Sequence, residues 1–363
     1  VKIRSSDYFL IRFCQKSQSL LRPIADWETR LLDSELASIS IEKPVFITGL
    51  ARSGTTLLLE LLARVEGVAT HRYRDFPFLM IPYLWNRYLD WFPVDEQPVE
   101  RAHKDRIYVT RENPEAMEEP IWHAFFPHVH SPTALHRMTA ADADPDFERF
   151  YKAHLRKMLL VRNGSRYLAK ANYHVARIEY LAHLFPESRF IVPIRHPLTH
   201  IHSLVRQHEL FSDYAANDLR VPRYLEAAGH FEFGPQRIPI RLNATQGDRI
   251  LDAWSQGDEY FGYSIQWKEV YGFLEALRNS NPEMAQRILV VSYEDLCENP
   301  ETTIRHILKH IDVDPQDACG VFSQRGRISK SSHVPLLDAK LLDAIRTEIA
   351  DVAAAYGYGV ETD

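Results

Sequence analysis

Pro44-Val45-Phe46-Ile47-Thr48-Gly49-Leu50-Ala51-Arg52-Ser53-Gly54-Thr55-Thr56 is the stretch on which the fold turns. A short apolar run ends at Gly49. A second glycine follows at Gly54, and Leu57, Leu58, Leu61 and Leu62 then lie on one helical stripe. Strand, glycine loop and apolar helix in that order open a βαβ unit.

Working outward, Arg189–Ile194 and Arg287–Ser292 read as buried strands, each running into a helix, and Arg166–Lys170 reads as a weaker one before a helix near Val175–Phe185. Strands alternating with helices predict the α/β class: a P-loop-like three-layer sandwich with a central, mostly parallel sheet flanked by helices. Residues 1–40 read as a helical segment packed on the main domain, with Leu10, Phe13, Leu20, Leu21, Trp27, Leu31 and Leu32 near helical spacing and a break at Pro23. The main domain is expected over 41–363. Within it, residues 76–135 and 207–262 are rich in aromatics and proline without a clean period, and predict helical or looped insertions over the ligand edge of the sheet. Leu341, Leu342, Ile345, Ile349 and Val352 predict a C-terminal amphipathic helix.

The loop nearly fits the triphosphate-binding pattern GxxxxGK[ST]. Both glycines and the hydroxyl of Thr56 are in register, but Thr55 stands where the pattern requires Lys. The cation is instead Arg52, inside the loop. Its guanidinium, the loop N–H groups, the helix N-terminus and the hydroxyls make a compact anion cradle suited to one phosphate rather than to a triphosphate with magnesium. A plain glycine turn before a helix is the competing reading, and the flanking strand and apolar helix weigh against it.

The 363 residues include 45% hydrophobic and 25% charged side chains, ordinary globular composition. Lys plus Arg is 43 and Asp plus Glu 49, a formal charge of −6, which speaks against a sequence-independent nucleic-acid binder. An anionic ligand must then be held by a local basic cluster. Cys14, Cys297 and Cys319 form no CxxC pair and predict neither a disulfide scaffold nor a zinc ribbon. No window of the sequence is long and apolar enough to span a bilayer, and the start lacks a signal-peptide pattern, so a cytoplasmic location is expected; with Val as first residue, a removed N-terminal anchor stays open. Asn163-Gly164-Ser165 and Asn243-Ala244-Thr245 are glycosylation sequons of a kind that arises by chance.

Arg52-Ser53-Gly54-Thr55-Thr56 after a strand resembles the 5′-phosphosulfate loop of sulfotransferases that use 3′-phosphoadenosine 5′-phosphosulfate (PAPS), in the form found in tyrosylprotein-type and many bacterial relatives. The resemblance recurs in family order over residues 44–335. Phe190–Pro197 with Ser203 eight residues past Arg195 is similar to the 3′-phosphate site. Val291–Pro300 is similar to the Tyr-Glu-Asp-Leu…Pro segment that begins here at Tyr293. Arg327-Ile328-Ser329-Lys330 resembles the loop that closes over the nucleotide, and Lys170 with His174 matches a Leu-Lys-x-x-x-His segment. The resemblance implies PAPS as sulfuryl donor and 3′,5′-ADP (PAP) as product, with no metal required. It places Arg52, Ser53, Gly54, Thr55 and Thr56 on the 5′ side and Arg195 and Ser203 on the 3′-phosphate. Tyr293, Arg327, Ser329 and Lys330 complete the nucleotide site. Arg52 is the expected contact to the leaving oxygen. Lys170 is either a contact to the sulfuryl oxygens or a paired structural lysine.

The acceptor loses a proton during transfer, so a base is required. Asp75 leads the candidates with His71; Asp75 could equally be a structural ion pair. Glu118, Glu119 and His123 form a second set, with Glu119 and His123 at i, i+4 spacing across Pro120. Seventeen histidines, crowded at 123–136 and 196–208, raise a zinc site at His196 and His200; without a HExxH motif or a Cys partner, none is assigned. A small-molecule or a carbohydrate or lipid hydroxyl (or an amine) is the expected acceptor, and Tyr83, Trp85, Tyr88, Trp91 and Trp122 are candidate pocket aromatics or core. A P-loop small-molecule kinase and a non-catalytic nucleotide-binding module are the alternatives.

Overall fold

Val45, Phe46 and Ile47, each at most 1% exposed, form β1 (Val45–Ile47), the middle of a five-stranded sheet in this computed structural model, which describes residues 5–92, 97–104, 107–131, 133–243, 245–322 and 337–359. The other strands are β2 (Val68–Ala69), β3 (Arg166–Lys170), β4 (Arg189–Ile194) and β5 (Ile288–Ser292), in the order β5-β4-β1-β3-β2. Every pairing in this sheet is parallel. Ile47 lies level with Lys170 on one side and Ile191 on the other, and Ser292 pairs with Ile194. β1 and β3 thus end level with Ile191, while β4 and β5 run three residues further and end together, and the sequence order reverses at β1, where open α/β sheets hold ligands.

Alternation along β1 builds the layers. Val45 and Ile47 face a cluster containing Leu58, Leu59 and Leu62 of α3 (Thr55–Leu62) and Ile304, Ile307 and Leu308 of α12 (Pro300–His310). Phe46 faces the opposite, larger cluster with Phe190, Val192 and the apolar stripe of α10 (Glu259–Ser280), against which α13 (Ala339–Ala355) buries Ile345, Ile349 and Val352. This is the expected α/β sandwich with a central parallel sheet. A strand of two residues such as β2 has no readable period, which is why it escaped the sequence.

Further helices that the argument uses are α1 (Ser5–Lys16), α2 (Gln18–Leu31), α4 (Pro82–Asp90), α5 (Glu119–Phe125), α6 (Pro145–Arg162), α7 (Ile178–Leu184), α8 (Pro197–Asn217), α9 (Arg220–Ala228) and α11 (Tyr293–Glu298). Two expectations for the N-terminal segment change. The break falls at Ser17, and Pro23 sits inside α2. The inward stripe is Ile11, Cys14, Leu21, Ala25 and Leu32, whereas Phe13, Leu20, Trp27 and Leu31 are more than half exposed. Glu28 explains the phase: it continues the buried stripe from Leu21 and Ala25, and pairs at 2.9 Å with the fully buried Lys157 of α6. The insertions are also not only helices and loops. His130–Ser131 and Ala134–His136 form a hairpin, and Leu135 and His136 pair in parallel with Ile240 and Arg241, so a ladder joins the first insertion to the second.

Candidate functional site

The carboxyl ends of β1, β4 and β5 supply one cleft of about 1350 Å³. After β1 the chain turns through Gly49, Arg52 and Gly54, all at positive φ (128°, 69° and 112°), and enters α3 with no side chain capping its first turn. The uncapped N–H groups of such a turn are donors in need of an acceptor. Gly54, Thr55 and Thr56 line the cleft at this point. Thr55 Oγ1 donates to Asn172 Oδ1 at 3.3 Å, and Ser53 turns inward, its hydroxyl donating to Leu50 O at 2.7 Å. Ser53 thus shapes the loop from inside while its neighbours face the opening.

Gly54 is irreplaceable on two counts. Its φ lies in the left-handed region, and a Cβ there would sit 2.9 Å from Cδ2 of the Tyr293 ring. Gly54→Ala is expected to destabilise the fold by about 1–3 kcal/mol, read as a lower urea midpoint; an unchanged midpoint would mean that the loop does not adopt this turn.

Arg195 follows β4 directly. It is 7% exposed, its Nε donates to Thr199 Oγ1 at 3.2 Å, and its guanidinium lies 5.2 Å from the centre of the Tyr293 ring. Burial pulls its pKa below the usual guanidinium value, opposed by Tyr293 and Glu294. Ser203, two helical turns along α8, brings its Oγ within 3.4 Å of Arg52 Nε, although 151 residues separate the two in the chain. His200 of the same helix donates from Nε2 to Ala51 O at 2.8 Å; its pKa is pushed down to about 3 by burial, with Arg195 and Arg52 adding to the shift. Glu294 accepts from the backbone N–H of His196 at 3.1 Å, so α11 is tied to the start of α8 as well.

Of the residues expected at the nucleotide, Arg52, Gly54, Thr55, Thr56, Arg195, Ser203 and Tyr293 meet at this cleft. Arg327, Ser329 and Lys330 lie outside the described residues. Sequence reading missed Arg64, Arg72, Arg101, Lys104, Arg162 and Arg206, which also line the cleft; among the described lining residues only Glu60 and Glu112 are acidic. Arg101 NH1 reaches Thr56 Oγ1 at 3.4 Å. Nothing in the local sequence marks these cations, because the fold gathers them from four separate segments. Thr199 carried a signal: it is four residues beyond Arg195, one turn along at the start of a helix.

Lys170 does not line the cleft. It is 9% exposed at the end of β3, where burial lowers its pKa and Glu115 and Glu232 oppose that shift. The expected bases are also placed elsewhere. Asp75 is wholly buried; its carboxylate accepts from Arg162 at 2.5 and 2.7 Å, from Asn86 at 2.9 Å, from the Arg72 N–H at 2.8 Å, and from His71 at 3.2 Å. Burial would raise its pKa, but His71, Arg162 and the Arg72 N–H together hold it well below the carboxylate range. His71 is held from the other side by His154 at 3.0 Å. Glu118 accepts from Tyr151, Tyr167 and His174 and has its pKa lowered to about 2, its partners outweighing burial. Glu119 is paired with Arg177 and His130, both buried with it. His123 opens on a separate small recess with Ile11, Cys14 and Pro120. Asp75, Glu118 and Glu119 are thus paired in the interior with cationic, histidine or tyrosine partners, and none of them lines the cleft.

The histidine excess is explained in part by the same interior bonding, since His71, His130, His154, His174 and His200 each bond inside the protein. Among the described residues no three His, Cys, Asp or Glu side chains are grouped to hold a metal, and no helix is long and apolar enough to cross a membrane. Trp122 is core, Tyr88 and Trp91 are exposed, and none of the five candidate aromatics lines the cleft.

The family model for the sulfotransferase family matches residues 44–239, just over half of the chain. Among solved structures, sulfotransferase STF9 from Mycobacterium avium is 14% identical with a TM-score of 0.49, the match covering 93% of this chain and 83% of that one. Sulfotransferase STF1 from Mycobacterium tuberculosis H37Rv is 15% identical with a TM-score of 0.49, covering 94% and 85%. A sulfotransferase from Alicyclobacillus acidocaldarius is 10% identical with a TM-score of 0.40, covering 88% and 98%. No curated protein gives a significant match.

Proposed function

The chain belongs to the sulfotransferase family, and from that premise we propose that it moves the sulfuryl group from PAPS to a hydroxyl or amine of a small molecule, carbohydrate or lipid. The observation that carries the choice of donor is the meeting of Arg52 and Ser203 across one basic cleft, with Arg195 beside them. PAPS, when bound, supplies an activated sulfuryl group between a 5′-phosphate and the acceptor, and carries a 3′-phosphate. The uncapped turn of Gly54, Thr55 and Thr56 suits the 5′ side. Arg195 and Ser203 suit the 3′-phosphate, and Arg327, Ser329 and Lys330 are assigned to the nucleotide by resemblance. Arg52, reaching toward both, is placed to hold the charge that builds on the leaving oxygen. Lys170, buried at the end of β3 between Glu115 and Glu232, adds positive charge beside Arg101 and Arg52.

The cleft cations explain how a chain of charge −6 takes a multiply charged anion: the acidic surplus lies elsewhere. A kinase reading lacks support because Thr55, in the place of the required lysine, has its hydroxyl committed to Asn172. Thermal denaturation separates the two. PAP at 100 times its Kd is expected to add about 2.7 kcal/mol of stability, with no requirement for magnesium. Stabilisation by ATP and Mg²⁺ but not by PAP would refute the proposal.

A further inference from the structure

The acceptor's proton needs a destination; Asp75, His71, Glu118 and Glu119 are paired inside the protein, and His123 opens on a separate recess away from the cleft. A chain of contacts leads instead from the loop to the second insertion. Thr55 Oγ1 donates to Asn172 Oδ1 at 3.3 Å, Asn172 Nδ2 donates to Glu232 Oε1 at 2.8 Å, and Glu232 Oε2 stands 3.6 Å from His230 Nδ1. The segment bearing this pair is clamped. After α9 the chain turns left-handed at Gly229, His230 N donates to Leu225 O at 2.8 Å, and Phe231 N donates to the Tyr173 hydroxyl at 2.7 Å. His230 keeps 39% of its side chain exposed, and its Nε2 has no hydrogen-bond partner among the described residues. Of these residues Thr55 lines the cleft and Asn172, Glu232 and His230 do not, so the contacts lead from the phosphate loop at Thr55 to a half-open imidazole oriented by a carboxylate, the pairing that a proton acceptor requires.

We propose that His230, oriented by Glu232, is the base that takes the acceptor's proton, with Asn172 and Glu232 as positioning residues. This rests on the sulfotransferase reading above. In the step, the acceptor oxygen forms a bond to sulfur with the electron pair of its O–H bond, and the proton passes to His230 Nε2. The bond between sulfur and the bridging oxygen breaks, and its electron pair leaves on the 5′-phosphate of PAP. Around His230, Glu232 and Glu115 are the facing anions, and Lys170, with Arg101 and Arg52 beyond it, supplies the facing cations. Burial draws the imidazole pKa down, but Glu232, with help from Glu115, outweighs it and the net shift is upward. Activity limited by this base is therefore low when it is protonated at acid pH and rises through a pKa above the ordinary histidine value.

The test uses the full chain with ³⁵S-labelled PAPS, water and 2-naphthol as acceptor probes, and PAP affinity by calorimetry as control. His230→Gln is expected to lower sulfate transfer by roughly 100-fold or more with PAP affinity unchanged. Glu232→Gln, which keeps the bond to Asn172, is expected to shift the acid limb of the pH–rate profile to lower pH, together with the His230 imidazole titration seen by NMR. Transfer retained within about threefold in His230→Gln, or an acid limb unmoved in Glu232→Gln, overturns the assignment. Where the wild type binds PAP yet transfers to neither probe, the imidazole titration decides: a His230 pKa that does not fall in Glu232→Gln overturns the assignment. A wild-type protein that does not bind PAP overturns the sulfotransferase reading itself, whatever His230 does.

Discussion

Asp75→Ala is expected to destabilise the folded chain by about 3–5 kcal/mol, the cost of leaving a buried charge without its partner. Arg162 would keep its guanidinium beside a cavity, and the Asn86 amide, the Arg72 N–H and His71 would each lose an acceptor. The measurement is the urea midpoint, with transfer per folded molecule as a second readout. If Asp75 is a structural pair, stability falls and the transfer rate of the folded fraction holds; wild-type stability with transfer abolished would restore it as a catalytic base. The same group sets an acid limit. Its folded pKa lies below its unfolded value, so its contribution is fully present above the unfolded value of about 4 and is lost as pH falls below it. Glu118, lowered to about 2, acts in the same direction and over the same window. Unfolding of the wild type is therefore expected to steepen below about pH 4, and the Asp75→Ala variant to lose part of that slope.

Arg195→Ala is expected to weaken PAP binding by about 3 kcal/mol, roughly two orders of magnitude, since a buried, hydrogen-bonded cation would be removed from its anion. Adenosine 5′-phosphosulfate, which lacks the 3′-phosphate, should bind the variant and the wild type alike. Calorimetry with both ligands decides it: equal losses would show that Arg195 acts on the fold of the cleft, through Thr199 and the Tyr293 ring, and not on the 3′-phosphate.

The sequence was most readable where function is written into a continuous stretch. Strand, loop and helix from Pro44 to Leu62 needed only local rules, and so did the strands that end at Ile194 and Ser292. Asp75 was not readable in this way. Its fate depends on Arg162, 87 residues away, and on Asn86 on another helix, and no spacing rule links the three. The phase of α2 was misjudged for a related reason: Glu28 looks like a surface residue until Lys157 is brought to it by α6. Lys170 was correctly placed at a strand end, but whether its side chain reaches the cleft or stays under it depends on Glu115 and Glu232, contributed by the two insertions. His230 escaped altogether, because a histidine after a helix-ending glycine has no pattern of its own.

The bond from His200 to Ala51 has a consequence for what the cleft accepts. It fastens the loop after β1 to the helix after β4, and because the imidazole stays neutral across the physiological range, the fastening does not loosen with pH. Arg52 and Arg195 are thus carried on two jaws of a locked caliper. The gap between them is set by the protein before any ligand arrives, and on the proposed reading an anion pair of the wrong span is expected to bind weakly even when its charge is right.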